Sequence, residues 1–276
     1  MKLNIYKECL HYQYKIEKRT GFFQNLPIII RQKLLGKFEI PYIEFFITTK
    51  CNLRCGHCSN LIPYIEKKEH IDFSEFKYNL NLLLSKVDCL YRLKIHGGEV
   101  FLHPELCEMV QYADSLKKIR SIRIATNGTV LPPEKALKVL AASKAIVQIS
   151  DYPSFSDRAE KIVEIFKSYG VKYIRLKGQK WRDMGEIKKR ETNRFESCSI
   201  TRCTSLYCGK IYVCSRAAMM EEFGCHFNDG IDITVDKRTF RKDILRLYRG
   251  DHCKACFYCD GDTEFAKEIP AGEQLS

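Results

Sequence analysis

Long apolar runs are missing from this 276-residue chain. The nearest candidate, around 27–48, is broken by Arg31, Lys33, Lys37 and Glu39, well short of the roughly 18 apolar residues a spanning helix needs. An apolar signal core is missing as well, because the opening MKLNIYKECLHYQYKIEKR is polar and basic. Together these absences predict a soluble, cytoplasmic protein with no membrane partner. Acidic residues are in deficit: 34 against 46 lysines and arginines, a net charge of +12. Basic clusters fall at 15–19, 177–194 and 237–249. Such a balance suits an anionic partner or simply a solvated surface. No RNA-binding motif accompanies it, so nucleic acid is not the expected partner. Hairpin signals and internal repeats are also lacking, which argues against a meander or a solenoid.

Cysteine, by contrast, is abundant, with 14 in the chain. Without an export signal, this number points to metal binding rather than to disulfides. Cys51, Cys55 and Cys58 lie within TTKCNLRCGHCSN. Their i, i+4, i+7 spacing also fits one face of a helix. Asn52, Gly56, Asn60 and Pro63 are poor helix formers, so a turn-rich loop fits better. A full set of thiolates for a cubane iron–sulfur cluster is four; a set of three leaves one iron open to a substrate or cofactor. Zinc is the alternative. It normally takes four Cys or His ligands, and His57 would be a cramped fourth between two of the others.

Strand-like runs at 42–49, 91–96, 121–126, 145–150 and 171–176 alternate with helical patterns at 73–87, 104–117, 133–142 and 156–169. Asp72 and Ser156 suit N-caps, Pro104 and Pro133 suit helix starts, and Gly170 suits a C-cap. Repeated β-α units imply a parallel sheet with right-handed crossovers. In such folds the chemistry sits on the loops after the strands. The three cysteines follow the first strand, Gly97-Gly98-Glu99 the second, Thr126-Asn127-Gly128 the third and Ser150-Asp151 the fourth. Beyond about 177 the alternation fails, apart from short strand-like runs at 209–214 and 231–235.

The cysteine triplet together with HGGEVFLHPEL resembles the signature of the radical S-adenosylmethionine (SAM) superfamily. That resemblance implies an α/β fold, a partial (β/α)6 barrel. It implies a [4Fe–4S] cluster on Cys51, Cys55 and Cys58 whose open iron chelates SAM, which an electron cleaves to methionine and a 5′-deoxyadenosyl radical. Gly97, Gly98 and Glu99 would accept the ammonium of SAM, and His57 would contact adenine. Asn127 and Ser150 or Asp151 would face the carboxylate or ribose, an assignment resting on strand order. Thr-Asn-Gly could equally be a plain turn, and His96 and His103 read as structural. An external one-electron donor of flavodoxin or ferredoxin type is implied.

A second group follows: Cys198, Cys203, Cys208, Cys214, Cys225, Cys253, Cys256 and Cys259. Cys198-x10-Gly209-x4-Cys214, then Cys253-x2-Cys256-x2-Cys259, is similar to the SPASM/twitch extension of radical SAM enzymes, in particular the twitch aminocyclitol dehydrogenases. The likeness implies one auxiliary [4Fe–4S] cluster, with four ligands drawn from Cys198, Cys203, Cys214, Cys253, Cys256 and Cys259. Structural zinc is the alternative. Cys9, Cys89 and Cys107 have no ligand-like spacing and read as packing residues. The implied organisation is a basic lead-in at 1–41, a barrel at 42–180 and a small cysteine-rich module at 181–276. The implied reaction is oxidation or epimerisation of a small carbohydrate-like or cyclitol substrate, with phosphate- or nucleotide-linked forms among the candidates. Cys208 or Cys225 would be a spare hydrogen donor, and the 177–194 stretch with Trp181 either a substrate contact or an exposed linker. The alternatives are maturation of a ribosomal peptide, or a non-catalytic iron–sulfur or zinc protein that binds nucleic acid.

Overall fold

The computed structural model describes residues 36–201, 203–264 and 266–275. Cys9, the basic cluster at 15–19 and most of the 1–41 lead-in lie outside the described residues.

Five parallel strands follow one another in chain order: β1 (Glu39–Thr48), β2 (Cys89–Gly97), β3 (Ile119–Thr126), β4 (Ala145–Asp151) and β5 (Tyr173–Lys177). The crossovers carry α1 (Phe73–Lys86), α2 (Leu106–Ser115), α3 (Glu134–Ala142) and α4 (Ser156–Tyr169). The caps explain several boundaries. The Asp72 carboxylate accepts from the Glu75 backbone N–H at 2.7 Å and starts α1. Gly170 closes α4 in the left-handed conformation, φ 71°. Ser156 proves to be the first residue of α4 and Phe155 its cap. Glu105, the residue after Pro104, caps α2, and Pro133 caps α3.

Strand periodicity gives the sheet two chemically different faces. Ile43 and Phe45 of β1, Leu93 and Ile95 of β2, and Ile122 and Ile124 of β3 are all buried in the core under the helices. Phe45 stacks on Phe76 of α1 with ring centroids 4.7 Å apart. Truncating such a fully buried ring to alanine costs about 3–5 kcal/mol. The intervening residues turn the other way and are polar: Glu44 pairs in register with Lys94, which pairs with Arg123.

The C-terminal part extends the same sheet. Strand β7 (Ser205–Tyr207) pairs with β1 in parallel, and β8 (Lys210–Tyr212) and β9 (Ile231–Asp232) continue antiparallel. The sheet therefore runs β5-β4-β3-β2-β1-β7-β8-β9. Thr204 supports the junction, its hydroxyl donating to the Tyr42 carbonyl at 2.9 Å and its own carbonyl accepting from the Glu44 N–H at 2.8 Å. Two helices, α5 (Ser215–Glu222) and α6 (Lys237–Leu247), cover this extension. The short β6 (Lys180–Arg182) pairs antiparallel with β10 (Glu268–Pro270). This pairing brings the C-terminal segment back over the strand ends.

Candidate active site at the strand ends

The loop after β1 carries Cys51, Cys55 and Cys58, and it is held by the loop after β2. Gly98 N–H donates to the Thr48 carbonyl at 2.7 Å, and Glu99 N–H to the Lys50 carbonyl at 2.8 Å. The approach requires glycine, since a Cβ on Gly97 would fall 2.3 Å from the Thr48 oxygen and one on Gly98 2.2 Å from the Lys50 oxygen. Each of two loop thiols already has a donor on its sulfur. Leu53 N–H reaches Cys51 Sγ at 3.4 Å, and Asn127 Nδ2 reaches it at 3.6 Å. Gln274 Nε2 donates to Cys55 Sγ at 3.1 Å. Burial lifts the bare Cys51 thiol to about 11 and raises those of Cys55 and Cys58. Only a bound metal or cluster would keep such sulfurs as thiolates at neutral pH.

Glu99 is wholly buried and turned into its own chain. Its carboxylate accepts from the Thr126 hydroxyl and the Asn127 N–H, both at 2.8 Å, and from the Phe101 N–H at 3.1 Å. Burial pushes it up to about 7 against these bonds. Its visible work is to tie the β2 loop to the β3 loop. Asn127 stands against Cys51, and its side-chain oxygen accepts from Thr129. Ser150 faces the central cavity, whereas Asp151 is buried in an ion pair with Arg175, 2.8 Å. His57 is half-exposed, its Nδ1 3.2 Å from Asp183.

A cavity of about 400 Å3 lies on the polar face of the sheet. Tyr42, Glu44, Arg92, Lys94, His96 and Arg123 line it from the strands, and Tyr152 and Trp181 from the connections after β4 and β5. Trp181 meets Tyr152 edge-on, centroids 5.3 Å apart, so the 177–194 stretch is at this point a cavity wall rather than a linker. Glu44 accepts from Tyr42 Oη at 2.6 Å and from Lys94 Nζ at 2.9 Å. Burial opposes its ionisation, but the Lys94 ammonium and these bonds hold it below the usual carboxylate range. His96 lies 3.5 Å from the same carboxylate. Burial nevertheless brings it down to about 4, so it is neutral and forms no ion pair near pH 7.

Behind this cavity is a smaller one into which Cys198, Cys214, Cys256 and Cys259 converge. Three of the four sulfurs accept backbone N–H groups: Asp262 to Cys198 at 3.2 Å, Ala217 to Cys214 at 3.5 Å and Gly261 to Cys259 at 3.2 Å. Cys214 caps α5 and lines both cavities. Cys203 lines the central cavity only, and buried Cys253 lines neither. Cys208 is exposed in the β7–β8 turn and Cys225 follows α5; neither is among the described residues that line the central cavity. Cys89 and Cys107 are buried in the fold, as packing residues should be.

Residues 45–150 match the model of the Radical SAM superfamily. Over that segment the chain is similar to the radical SAM superfamily. Among curated proteins, the chain is 31% identical over 122 residues to the antilisterial bacteriocin subtilosin biosynthesis protein AlbA of Bacillus subtilis, covering 42% of this chain and 25% of that protein. It is 32% identical over 96 residues to GTP 3′,8-cyclase of Clostridium acetobutylicum, covering 34% and 29%. The chain thus matches under a third of the length of either relative. Among solved structures, BtrN in complex with AdoMet and 2-DOIA aligns over 86% of this chain and 98% of its own, with TM-score 0.53 and 20% identity. At that identity the likeness is one of fold.

The radical SAM family brings with it SAM and a [4Fe–4S] cluster, and the first loop fits them. Three sulfurs, that of buried Cys55 and those of half-buried Cys51 and Cys58, two of them already accepting N–H donors, form the donor set such a cluster takes. Among the described residues, no three His, Cys, Asp or Glu side chains gather closely enough for a single metal ion. Three contributors escape the motif reading. Gln274 is far away in sequence and carries no motif. Arg216, buried on α5, borders one cavity with Cys58 and another with Cys259, and its charge opposes the burial that raises both thiols. The inward-facing Arg92, Lys94 and Arg123 could have been found, because charges at alternate positions of YRLKIH and SIRIAT mark a polar inner face.

Proposed function

We propose that this chain is a radical SAM enzyme of the twitch type, built on a partial barrel, that removes a hydrogen atom from a small carbohydrate-like or cyclitol substrate in the central cavity. Net oxidation or epimerisation follows. The observation that carries this reading is Cys214, which borders both the central cavity and the smaller cavity where four cysteines meet. Cys198, Cys214, Cys256 and Cys259 would hold an auxiliary [4Fe–4S] cluster beside the substrate. The first cluster, when bound, supplies the electron that cleaves SAM to methionine and a 5′-deoxyadenosyl radical. The chain's own residues orient and shield. Gly97 and Gly98 let SAM approach the backbone, with Glu99 fixing that loop and Ser150 facing the cavity. Asn127 steadies Cys51, and His57 would contact adenine. Tyr152 and Trp181 wall the cavity against water. The electron would come from an external flavodoxin- or ferredoxin-type donor.

The likeness to AlbA keeps peptide maturation as a second reading. Screening deuterated cyclitols, sugars and peptides for transfer of deuterium into 5′-deoxyadenosine separates the two. Transfer from a cyclitol or sugar supports the first reading. Transfer from peptides alone overturns it in favour of the second.

A further inference from the structure

Residues 266–275 touch two walls of the site, first the central cavity and then the cysteine loop. β10 pairs Ile269 with Trp181 of the cavity wall, and the Asp183 N–H donates to the Lys267 carbonyl at 2.8 Å. Gly272 then crosses the Tyr152 ring with φ 78°; an added Cβ would fall 2.6 Å from its Cγ. Only glycine permits so close a crossing. Ala271 and Gly272 are buried there.

The next three residues close on the loop. The Gly56 N–H donates to the Glu273 carbonyl at 2.9 Å, and the Leu275 N–H to the Arg54 carbonyl at 2.8 Å. The Arg54 N–H donates to Gln274 Oε1 at 2.7 Å, while Gln274 Nε2 donates to Cys55 Sγ at 3.1 Å. These four bonds bear on three consecutive residues, Arg54, Cys55 and Gly56. Leu275 adds apolar cover, its Cδ2 lying 3.1 Å from where a Gly56 Cβ would stand. Cys55 is accordingly only 7% exposed, although Arg54 beside it is open to solvent and Gly56 is half-buried. A cover of a few surface hydrogen bonds and one leucine opens more easily than the core beneath it.

We propose that residues 272–275 are a positioning strap, which seals the Cys55 side of the first cluster and holds the cysteine loop against the Tyr152–Trp181 wall of the central cavity. Gly272, Gln274 and Leu275 are its working residues. Cys51 is held instead by Leu53 and Asn127, so the strap acts on one edge of the loop. Fixing that edge to the cavity wall keeps the site of radical formation in register with the substrate. The inference rests on the first loop holding the cluster.

Two altered chains test this: one lacking residues 272–276, and Gly272→Ala, whose Cβ pushes the strap off Tyr152. Circular dichroism checks that each is folded, and either alone suffices. Gly170→Ala is the control, since its φ of 71° is equally left-handed but nothing lies within 4 Å of the added Cβ. Each chain is reconstituted anaerobically beside the unaltered one. Iron release to a ferrous chelator is then followed together with electron paramagnetic resonance and amide hydrogen exchange. Losing two or more of the four bonds should speed release of the first cluster's iron about tenfold or more. About four of about eight irons should leave in that fast phase. The resonance signal that SAM perturbs should go with them while the other signal persists. Exchange should rise at the Arg54 and Gly56 amides. Iron release at the unaltered rate, or unchanged exchange at Arg54 and Gly56, overturns the proposal. Equal loss of both signals with a lower urea midpoint also overturns it, because that is general destabilisation. So does a Gly170→Ala chain that behaves like Gly272→Ala. Iron uptake and SAM cleavage by the unaltered chain are measured separately. Failure there overturns the radical reading and the seal with it, whereas exchange at Arg54 and Gly56 still decides whether the strap holds the loop.

Discussion

Replacing Gly98 by alanine would set a Cβ 2.2 Å from the Lys50 carbonyl oxygen, 2.7 Å from its carbon and 3.0 Å from Cys51 Cβ. Two of these obstacles are backbone, so no rotamer change relieves them. Clearing the oxygen needs a shift approaching an ångström between the β2 loop and the cysteine loop. Such a shift breaks the Gly98-to-Thr48 and Glu99-to-Lys50 hydrogen bonds. Two bonds at about 0.5–1.5 kcal/mol each and overpacking at about 1–3 kcal/mol give a loss of about 2–6 kcal/mol. That is a large share of the ~5–15 kcal/mol that holds a typical domain together. The assay is urea unfolding alongside iron uptake. Gly178→Ala is the reference, because Gly178 has a positive φ of 64° but no atom within 4 Å of an added Cβ. Gly98→Ala should be clearly the less stable and should hold less iron. A loss under about 1 kcal/mol with full iron uptake would refute the steric argument.

The other predictions concern charge and ligand sets. His96 has its folded pKa depressed from 6.5 to about 4, so its contribution is fully present above about 6.5 and is lost as pH falls through about 4; at ~1.36 kcal/mol per unit this amounts to at most about 3 kcal/mol. Urea unfolding of His96→Gln should accordingly vary less with pH across that window than the unaltered chain. Gln274→Leu removes the donor on Cys55 Sγ; since N–H donors favour the more negative, reduced cluster, a redox titration followed by electron paramagnetic resonance should show a lower midpoint potential. An unchanged or higher potential would dismiss Gln274 as a bystander. Cys256→Ala should cut bound iron from about eight to about four per chain, whereas Cys203→Ala should leave it unchanged; equal losses would mean that the ligand set has been misassigned.

Local physics explains which parts of the fold were legible. The β-α alternation from 42 to 176 is written in periodicity, and the caps at Asp72 and Gly170 fall where their chemistry requires. β1 announces itself because it is buried along its whole length and reads as a nearly continuous apolar run. Pairings between distant segments left no such trace. β7 joins β1 through Ser205 and Leu206, three-residue strands too short to show a period. The same is true of the site. Cys51, Cys55 and Cys58 are legible because their spacing is local. That Cys198, Cys214, Cys256 and Cys259 line one cavity while Cys203 and Cys253 do not depends on how three segments fold against one another. Glu99 is legible as part of Gly-Gly-Glu, but its bonds to Thr126 and Asn127 form only once β2 and β3 are paired.

The most direct test of the central claim is anaerobic reconstitution with iron, sulfide and zinc analysis, followed by a dithionite-driven assay for 5′-deoxyadenosine. The account predicts about eight irons per chain, no zinc, and SAM-dependent formation of 5′-deoxyadenosine. A chain that takes up no iron and cleaves no SAM would contradict it.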